Sequence, residues 1–283
     1  MNVRKDMQTS QIQFDFSEQV AIVTGAARGI GRAIVQAFMA AGARVVAADR
    51  DEPGLTETCR SHAAGVVAVV ADISSPKGAR SVVDAAIEHF GRLDICVNNA
   101  AVAPHTALLE ERVEVWDTVY GVNCRGTFLM TQAAARAMIP LKRGGRIINF
   151  SSGVSRRGSP GAAAYASSRA ATESFSRVAA VELAPHGILV NTVSPGLIDT
   201  QPKPHPPAMA AVLDARIPTL PLARPGEPEE VVNAVLFLAS DAASYLSGSV
   251  ISVDGGAGVG QRPKDPIVDD DTRYDWVTGR KRS

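Results

Sequence analysis

A tyrosine and an arginine one helical turn apart are well suited to proton transfer. Tyr165 and Arg169 lie four positions apart, so their side chains share one face of a helix. Bringing the pKa of a phenol from about 10 to about 7 requires a preference for the phenolate of about 4 kcal/mol. A cation about 5 Å away supplies about 3 kcal/mol at an effective dielectric near 20. The pair is therefore a candidate general acid and base.

A serine hydroxyl is the third member of this constellation. Ser152 precedes Tyr165 by 13 residues and follows an apolar run over 145–150 that is typical of a buried strand. Strand ends in open α/β sheets face the ligand crevice, where a hydroxyl can stabilise charge that develops on a substrate oxygen. Alone, a Ser-Ser-Gly segment is more typical of a simple turn.

Short apolar runs separated by helical stretches predict the elements that position these residues. Seven runs are predicted strands, at 20–23, 44–48, 66–70, 93–97, 145–150, 188–193 and 249–253. Strands without polar alternation are buried on both faces, which is typical of parallel sheets with right-handed crossovers. The sequence predicts an α/β fold, a doubly wound Rossmann-type sheet of about seven parallel strands with helices on both faces.

The first predicted strand runs into a glycine-rich turn. Gly25, Gly29 and Gly31 have the spacing G-x-x-x-G-x-G, and a helix follows them. Free backbone N–H groups and the dipole of such a helix N-terminus attract a pyrophosphate. The alternative is an ordinary glycine-rich connection between a strand and a helix.

Asp49 ends the second predicted strand and bears on the choice of dinucleotide. A carboxylate there accepts hydrogen bonds from adenosine ribose hydroxyls and repels a 2′-phosphate, which favours NAD over NADP. Arg28 and Arg50 lie close in sequence and favour the opposite choice. Asp49 can also simply cap the following turn.

Eight motifs occur in the order typical of one enzyme family. They are the glycine loop 24–31, Asp72-Ile73, Asn98-Asn99-Ala100, Asn123, Ser152, Tyr165, Pro195-Gly196 and Val253-Asp254-Gly255-Gly256. Over residues 17–256 the chain resembles the short-chain dehydrogenases/reductases, and segment 225–241 is similar to their ketoacyl reductase-like members. The resemblance implies a single-domain, NAD(P)-dependent oxidoreductase that transfers a hydride between the cofactor and a secondary alcohol or ketone.

The resemblance also implies the roles of individual residues. It implies that Asp72 and Ile73 flank the adenine, that Asn99 lines the cofactor cleft, and that Thr200 holds the nicotinamide carboxamide. The implied catalytic residues are Asn123, Ser152, Tyr165 and Arg169. The implied cofactor-binding residues are Gly25, Arg28, Gly29, Ile30, Gly31, Asp49, Asp72, Ile73, Asn99, Ala100, Tyr165, Arg169, Pro195, Gly196, Ile198 and Thr200.

Arg169 is the main departure from the family, which has lysine at this position. Arginine keeps the positive charge, but its planar fork differs from an ammonium and it does not release a proton. We expect an active enzyme with altered properties, in which protons pass through the ribose hydroxyl and a water near Asn123. The alternatives are a catalytically weakened NAD-binding sensor or scaffold, and an epimerase in which hydride transfer is transient.

Residues 17–256 are predicted to form the dinucleotide-binding and catalytic domain, between an N-terminal extension (1–16) and a C-terminal tail (257–283). Nine prolines between Pro195 and Pro228, counting both, predict a substrate lid over about 197–222 with at most a short helix. The lid's apolar side chains favour a mid-sized apolar or cyclic alcohol; they are Met209, Val212, Leu213 and Ile217. The tail is interpreted as a solvated extension, with docking of Tyr274 and Trp276 on another subunit as the alternative.

Composition and residue spacing argue against several other classes of protein. Lys plus Arg and Asp plus Glu each number 29, so no net charge favours nucleic acid or an anionic membrane. No apolar stretch is long enough to span a bilayer, and the three cysteines fit a reducing cytosol. The five histidines lack metal-ligand spacing, so no metal is expected. Apolar residues over a wide arc of the helix 165–184 predict a homodimer or homotetramer.

Overall fold

A seven-stranded parallel sheet forms the centre of the protein. The computed structural model describes residues 14–60, 65–201 and 204–262, and the strand order is β3-β2-β1-β4-β5-β6-β7. The strands are β1 (Val20–Thr24), β2 (Arg44–Asp49), β3 (Val66–Val70), β4 (Ile95–Asn98), β5 (Gly145–Phe150), β6 (Ile188–Pro195) and β7 (Val250–Val253). The doubly wound α/β fold predicted from the sequence is confirmed.

Eight α-helices connect and cover the strands in the described ranges. They are α1 (Gly29–Ala40), α2 (Glu52–Cys59), α3 (Pro76–Phe90), α4 (Val113–Tyr120), α5 (Thr127–Met138), α6 (Ala163–Leu183), α7 (Pro207–Arg216) and α8 (Pro228–Ala239). A π-helical turn, Gly121–Gly126, joins α4 to α5, and a 3-10 turn, Gly153–Arg156, follows β5. No helix in these ranges is both long and apolar enough to cross a bilayer.

The five central strands, β1, β2, β4, β5 and β6, are largely buried on both faces, whereas the edge strands β3 and β7 are only partly buried. Successive residues of a strand point to opposite sides. Ala21 and Val23 face a core shared with α1 and α8, whereas Val20 and Ile22 face a second core shared with α3 and α5. Each fully buried aliphatic side chain contributes about 1.5–3 kcal/mol. The continuous apolar runs in the sequence therefore follow from burial on two sides.

Several predicted strand ends differ from the structure by one or two residues, and the predicted end of the N-terminal extension differs as well. β4 begins at Ile95 rather than residue 93, since Asp94 turns its carboxylate to the backbone N–H of Val20 (2.9 Å). Phe16, assigned to the N-terminal extension, is 1% exposed and packs edge-on against Phe38 at 5.0 Å between ring centroids. The segment before β1 thus contributes to the core.

The segment predicted as a lid contains a ten-residue helix, α7. Its first residue is Pro207, whose missing N–H costs nothing in the first turn of a helix. Leu213 on α7 and Leu220 after it are buried. The side chain of Met209 and the tail residues Tyr274 and Trp276 lie outside the part of the chain that the structure describes.

Connections leave the sheet in opposite directions on the two sides of the β1–β4 pair. Open α/β sheets bind ligands at such a switch point, at the carboxyl ends of the strands. Strands β1, β4, β5 and β6 all end at this edge, and the loops that follow them begin there. They carry the motifs that the sequence singled out.

Candidate active site

The guanidinium of Arg169 is buried between the tyrosine ring and the end of β5. Arg169 is 3% exposed, and its Nη1 donates a hydrogen bond of 2.7 Å to the carbonyl oxygen of Phe150. Its Cζ lies 5.3 Å from the centroid of the Tyr165 ring. Both residues come from the first turns of α6, so the helix fixes a positive charge beside the phenol, which is partly exposed.

Ser152 follows β5 directly and has an extended backbone, with φ −160° and ψ 152°. Ser151 before it is buried, and its Oγ donates to Glu173 Oε1 at 2.7 Å. Neighbouring residues of an extended chain point to opposite sides. The side chain of Ser152 therefore points away from Glu173, and it is partly exposed.

Asn123 lies in the π-helical turn between α4 and α5 and is fully buried. Its amide forms two hydrogen bonds of 2.9 Å with the backbone N–H and C=O of Val102, and its Nδ2 also donates to Ser168 Oγ (3.1 Å). π-Turns frequently occur at functional sites. The side chain of Asn123 thus ties the loop after β4 to α6, next to Arg169.

The glycine loop has the geometry that an anion requires. Gly25 and Gly29 have positive φ (68° and 56°), and a Cβ on Gly31 would overlap the carbonyl oxygen of Gly25. The amide of Asn99 supports the loop by donating to the carbonyls of Thr24 (2.9 Å) and Gly25 (3.1 Å).

The N-terminus of α1 begins at Gly29 with no side-chain cap and no acidic residue in its first turn. A helix N-terminus offers unpaired N–H groups and a positive dipole end to an anion. The loop and the helix start therefore fit a dinucleotide pyrophosphate.

The Asp49 carboxylate lies between the glycine loop and the turn after β2. Its Oδ2 accepts from the N–H of Ala27 (3.0 Å), and its Oδ1 accepts from the N–H groups of Arg50 (2.7 Å) and Asp51 (3.1 Å). These contacts fix the carboxylate beside the loop, where a ribose would lie. They also show that Asp49 caps the turn.

Asp72 and Ile73, which the resemblance assigns to the adenine, follow β3. The hydroxyl of Ser74 donates to Asp72 at 2.7 Å and, more than the nearby charge of Arg50, holds the pKa of the Asp72 carboxyl below its usual value. Ile73 is 6% exposed and packs against Gly126. Ile73 thus contributes mainly to the core.

The end of β6 forms the opposite side of the cleft. A Cβ on Gly196 would lie 2.7 Å from Asp254 Cα, so glycine is required where these two segments meet. Ile198 pairs with Gly226 in an isolated β-bridge, and Thr200 lies against Gly29 of the glycine loop. The structure thus brings the segment after β6 to the start of α1.

Glu173 is a buried carboxylate that the sequence reasoning missed. It is 7% exposed on α6, and both hydroxyls that it binds flank Ser152. Burial raises its pKa, but hydrogen bonds from Ser155, Ser151 and Arg156 outweigh burial and hold the pKa below its usual value. Its only sequence signal is a polar residue one turn after Arg169, which is common on helix surfaces.

The cysteines lack the features of activated nucleophiles. Cys96 is buried, and burial raises the pKa of its thiol to about 12. Burial also raises the pKa values of Cys59 and Cys124, and all three are free thiols. Within the described ranges, no cluster of three or more His, Cys, Asp or Glu side chains could hold a metal.

Comparisons with known proteins support a relationship over most of the chain. Residues 25–258 match the family model described as enoyl-(acyl carrier protein) reductase. A 3-oxoacyl-[acyl-carrier-protein] reductase of Thermotoga maritima is 38% identical over 84% of this chain and 97% of its own. L-xylulose reductase of Bos taurus is 40% identical over 83% of this chain and 95% of its own. The crystal structure of a short-chain type dehydrogenase/reductase from Mycobacterium marinum is similar, with a TM-score of 0.81 and 36% identity over 87% of this chain and 97% of that one.

Proposed function

Because the chain belongs to the short-chain dehydrogenase/reductase family, an oxidoreductase family, we propose that it interconverts a secondary alcohol and a ketone. The observation that carries the proposal is the buried guanidinium of Arg169, held 5.3 Å from the centroid of the Tyr165 ring. A fixed cation beside a phenol favours the phenolate, which is the base that removes a hydroxyl proton. Bound at the glycine loop, a nicotinamide dinucleotide would accept or supply the hydride.

Two side chains act on the substrate oxygen in this proposal, and a third supplies the charge beside the phenol. During alcohol oxidation Tyr165 Oη takes the hydroxyl proton, and during ketone reduction it returns a proton to the carbonyl oxygen. Ser152 Oγ donates a hydrogen bond that stabilises negative charge on this oxygen in the transition state. Arg169 remains charged throughout because its guanidinium does not deprotonate. With a cofactor bound, its ribose hydroxyl and a water near Asn123 would provide the route by which the proton on Tyr165 exchanges with solvent.

We propose NAD as the preferred cofactor. The support is the Asp49 carboxylate, which is fixed by three backbone N–H groups beside the glycine loop and would repel a 2′-phosphate. Arg28 is exposed at the start of α1 and Arg50 follows Asp49, so the repulsion is partly offset.

The substrate that we propose is a mid-sized apolar or cyclic secondary alcohol, or the corresponding ketone. Leu213 and Leu220 give the lid segment a buried apolar side, while Val212 is 45% exposed. A pocket covered by such a segment gains affinity by burying apolar surface.

The test is a panel of secondary alcohols assayed with NAD and with NADP at alkaline pH, following the absorbance of the reduced cofactor. The wild type should turn over, NAD should give the higher kcat/KM, and Tyr165→Phe should lose turnover but keep cofactor affinity. A wild type that binds the cofactor and shows no turnover in either direction would instead support a sensor or scaffold. Stereochemical inversion without net reduced cofactor would support an epimerase.

We also propose a homodimer or homotetramer. Val178 and Val181 on α6 are 54% and 76% exposed, and Phe128 on the neighbouring α5 is 40% exposed and in edge contact with Phe175. Adjacent exposed apolar side chains of this kind mark association surfaces. Light scattering should show at least a dimer at micromolar concentration, and Val181→Glu should reduce the assembly. A monomeric wild type contradicts the proposal.

A further inference from the structure

Glu173 connects the helix that carries the tyrosine to the segment that carries the serine. It lies on α6, one turn after Arg169 and two turns after Tyr165, and it is 7% exposed. Its carboxylate faces the chain that follows β5, where Ser152 and the 3-10 turn lie. One side chain thus reaches both elements of the catalytic constellation.

A single carboxylate oxygen binds both sides of the serine. Glu173 Oε1 accepts from Ser151 Oγ at 2.7 Å and from Ser155 Oγ at 2.7 Å. Arg156 adds longer contacts, from Nη2 to Oε1 (3.4 Å) and from Nε to Oε2 (3.5 Å). The residues immediately before Ser152 and three positions after it are therefore attached to one charged group.

Ser152 depends on these neighbours for its position. Ser152 is partly exposed, so its hydroxyl is accessible to a substrate. Two backbone hydrogen bonds hold the chain around Ser152. The N–H of Ser151 donates to the carbonyl of Val193 (2.8 Å), and the carbonyl of Ser152 accepts from the N–H of Ser155 (2.9 Å). Both bonds involve the two serines that Glu173 fixes.

A buried carboxylate is costly for stability, and an apolar residue of similar size is often tolerated equally well or better. Hydrogen bonds to a charged group are shorter and stronger than neutral ones, so they position their donors more tightly. Catalysis depends on tight placement, since a displacement of about 1 Å can reduce a rate about 100-fold.

We propose that Glu173 is a positioning residue that sets the place of the Ser152 hydroxyl relative to Tyr165, acting through Ser151 and Ser155. The proposal rests on the alcohol–ketone activity proposed above. Glu173 does not touch the reacting atoms, because Ser151 and Ser155 stand between. Its loss should therefore reduce the chemical step and leave cofactor binding intact.

The experiment compares the wild type with Glu173→Gln and Ser155→Ala on the best alcohol of the panel. Glu173→Gln keeps the size and an acceptor oxygen but removes the charge, and it should lower kcat about 10- to 100-fold. Ser155→Ala removes one of the two hydroxyls and should lower kcat by a smaller factor. The dissociation constant of NAD should stay within about twofold of the wild type in both variants, because the glycine loop does not contact Glu173.

The controls separate positioning from a merely structural role. Glu88→Gln, a matched change at an exposed carboxylate on α3, should leave kcat and the dissociation constant unchanged. With a deuterated alcohol, the isotope effect on kcat in Glu173→Gln should equal or exceed that of the wild type, because the weakened step is hydride transfer.

Unchanged kcat in both variants would overturn the proposal. Parallel losses of kcat and NAD affinity would also overturn it, since they indicate a general disturbance of the site rather than of the serine alone. If Glu173→Gln does not fold, the kcat of Ser155→Ala decides. A wild type without turnover refutes the proposed function and, with it, the positioning role. An active wild type whose two variants are equally active refutes the positioning role alone.

Discussion

Replacing Arg169 tests the electrostatic basis of the proposed activity. Arg169 Cζ lies 5.3 Å from the centroid of the Tyr165 ring. Two unit charges about 5 Å apart interact by about 3 kcal/mol at an effective dielectric near 20, which sets the scale of the effect expected on a phenolate formed during the reaction. Since about 1.4 kcal/mol corresponds to a factor of ten, Arg169→Met should lower kcat for alcohol oxidation about 100-fold near neutral pH.

A second variant separates the charge from the shape of the side chain. Arg169→Lys keeps the cation but not the planar N–H group that donates to the Phe150 carbonyl (2.7 Å). We expect this variant to stay active with a changed rate or a changed pH profile, because the ammonium is free to move relative to the ring. Arg177→Met, on an exposed position of α6, is the matched control and should behave as the wild type.

The assay is initial-rate kinetics from pH 6 to about 10, a range that ends near the ordinary pKa of a phenol, with melting temperatures measured alongside. Loss of a buried hydrogen bond costs about 1–3 kcal/mol of stability, so some decrease in melting temperature is expected of Arg169→Met. A rate of Arg169→Met within about threefold of the wild type would refute the electrostatic reasoning. Arg169→Lys with rate and profile both unchanged would refute the specific role of the guanidinium.

Three further outcomes follow from the site. Asp49→Asn should raise the ratio of kcat/KM with NADP to that with NAD at least about tenfold, measured with one alcohol, because the carboxylate no longer repels a 2′-phosphate; an unchanged ratio would contradict the placement of the ribose. Gly31→Ala should abolish cofactor binding in fluorescence titrations and lower the melting temperature, since its Cβ would overlap Gly25; normal binding would contradict the geometry of the loop. The pKa of Glu173 is lowered in the folded protein, so its ionised form stabilises the fold above the usual carboxyl pKa, and this contribution is lost as pH falls through the lowered value. The melting-temperature difference between wild type and Glu173→Gln should therefore shrink from pH 7 toward about pH 3, and a constant difference would show that Glu173 does not titrate as inferred.

The fold was readable from the sequence because burial on both faces leaves a strong signal. The run Gly145–Phe150 coincides with β5, in which five of the six residues are buried. The run Val66–Val70 coincides with β3, although this edge strand is only partly buried. Glycines at 25 and 29 mark a turn because their positive φ excludes most other residues. The local sequence was therefore sufficient to predict the strands and the glycine loop.

Contacts between distant elements were not readable in the same way. Glu173 looks like an ordinary polar helix residue until α6 is packed against the segment after β5. The spacing of Tyr165 and Arg169 indicated a shared face, but the hydrogen bond from Arg169 to Phe150 depends on how α6 lies on β5. The side-chain oxygen of Asn123 accepts a hydrogen bond from the backbone N–H of Val102. The π-helical turn that places Asn123 there has no clear signal in the sequence.

The pairing of β1 with β4 bears on how the chain acquires its shape during synthesis. Val23 pairs with Val97, and Asn99 supports Thr24 across 75 residues of chain. Closing so long a loop is entropically slow, and parallel pairing offers no local hairpin as a starting point. A nascent chain that has emerged only to the end of α3 thus lacks β4, the strand that pairs with one edge of β1. Ribosome-bound intermediates of this length should expose apolar surface and recruit chaperones before any dinucleotide can be held.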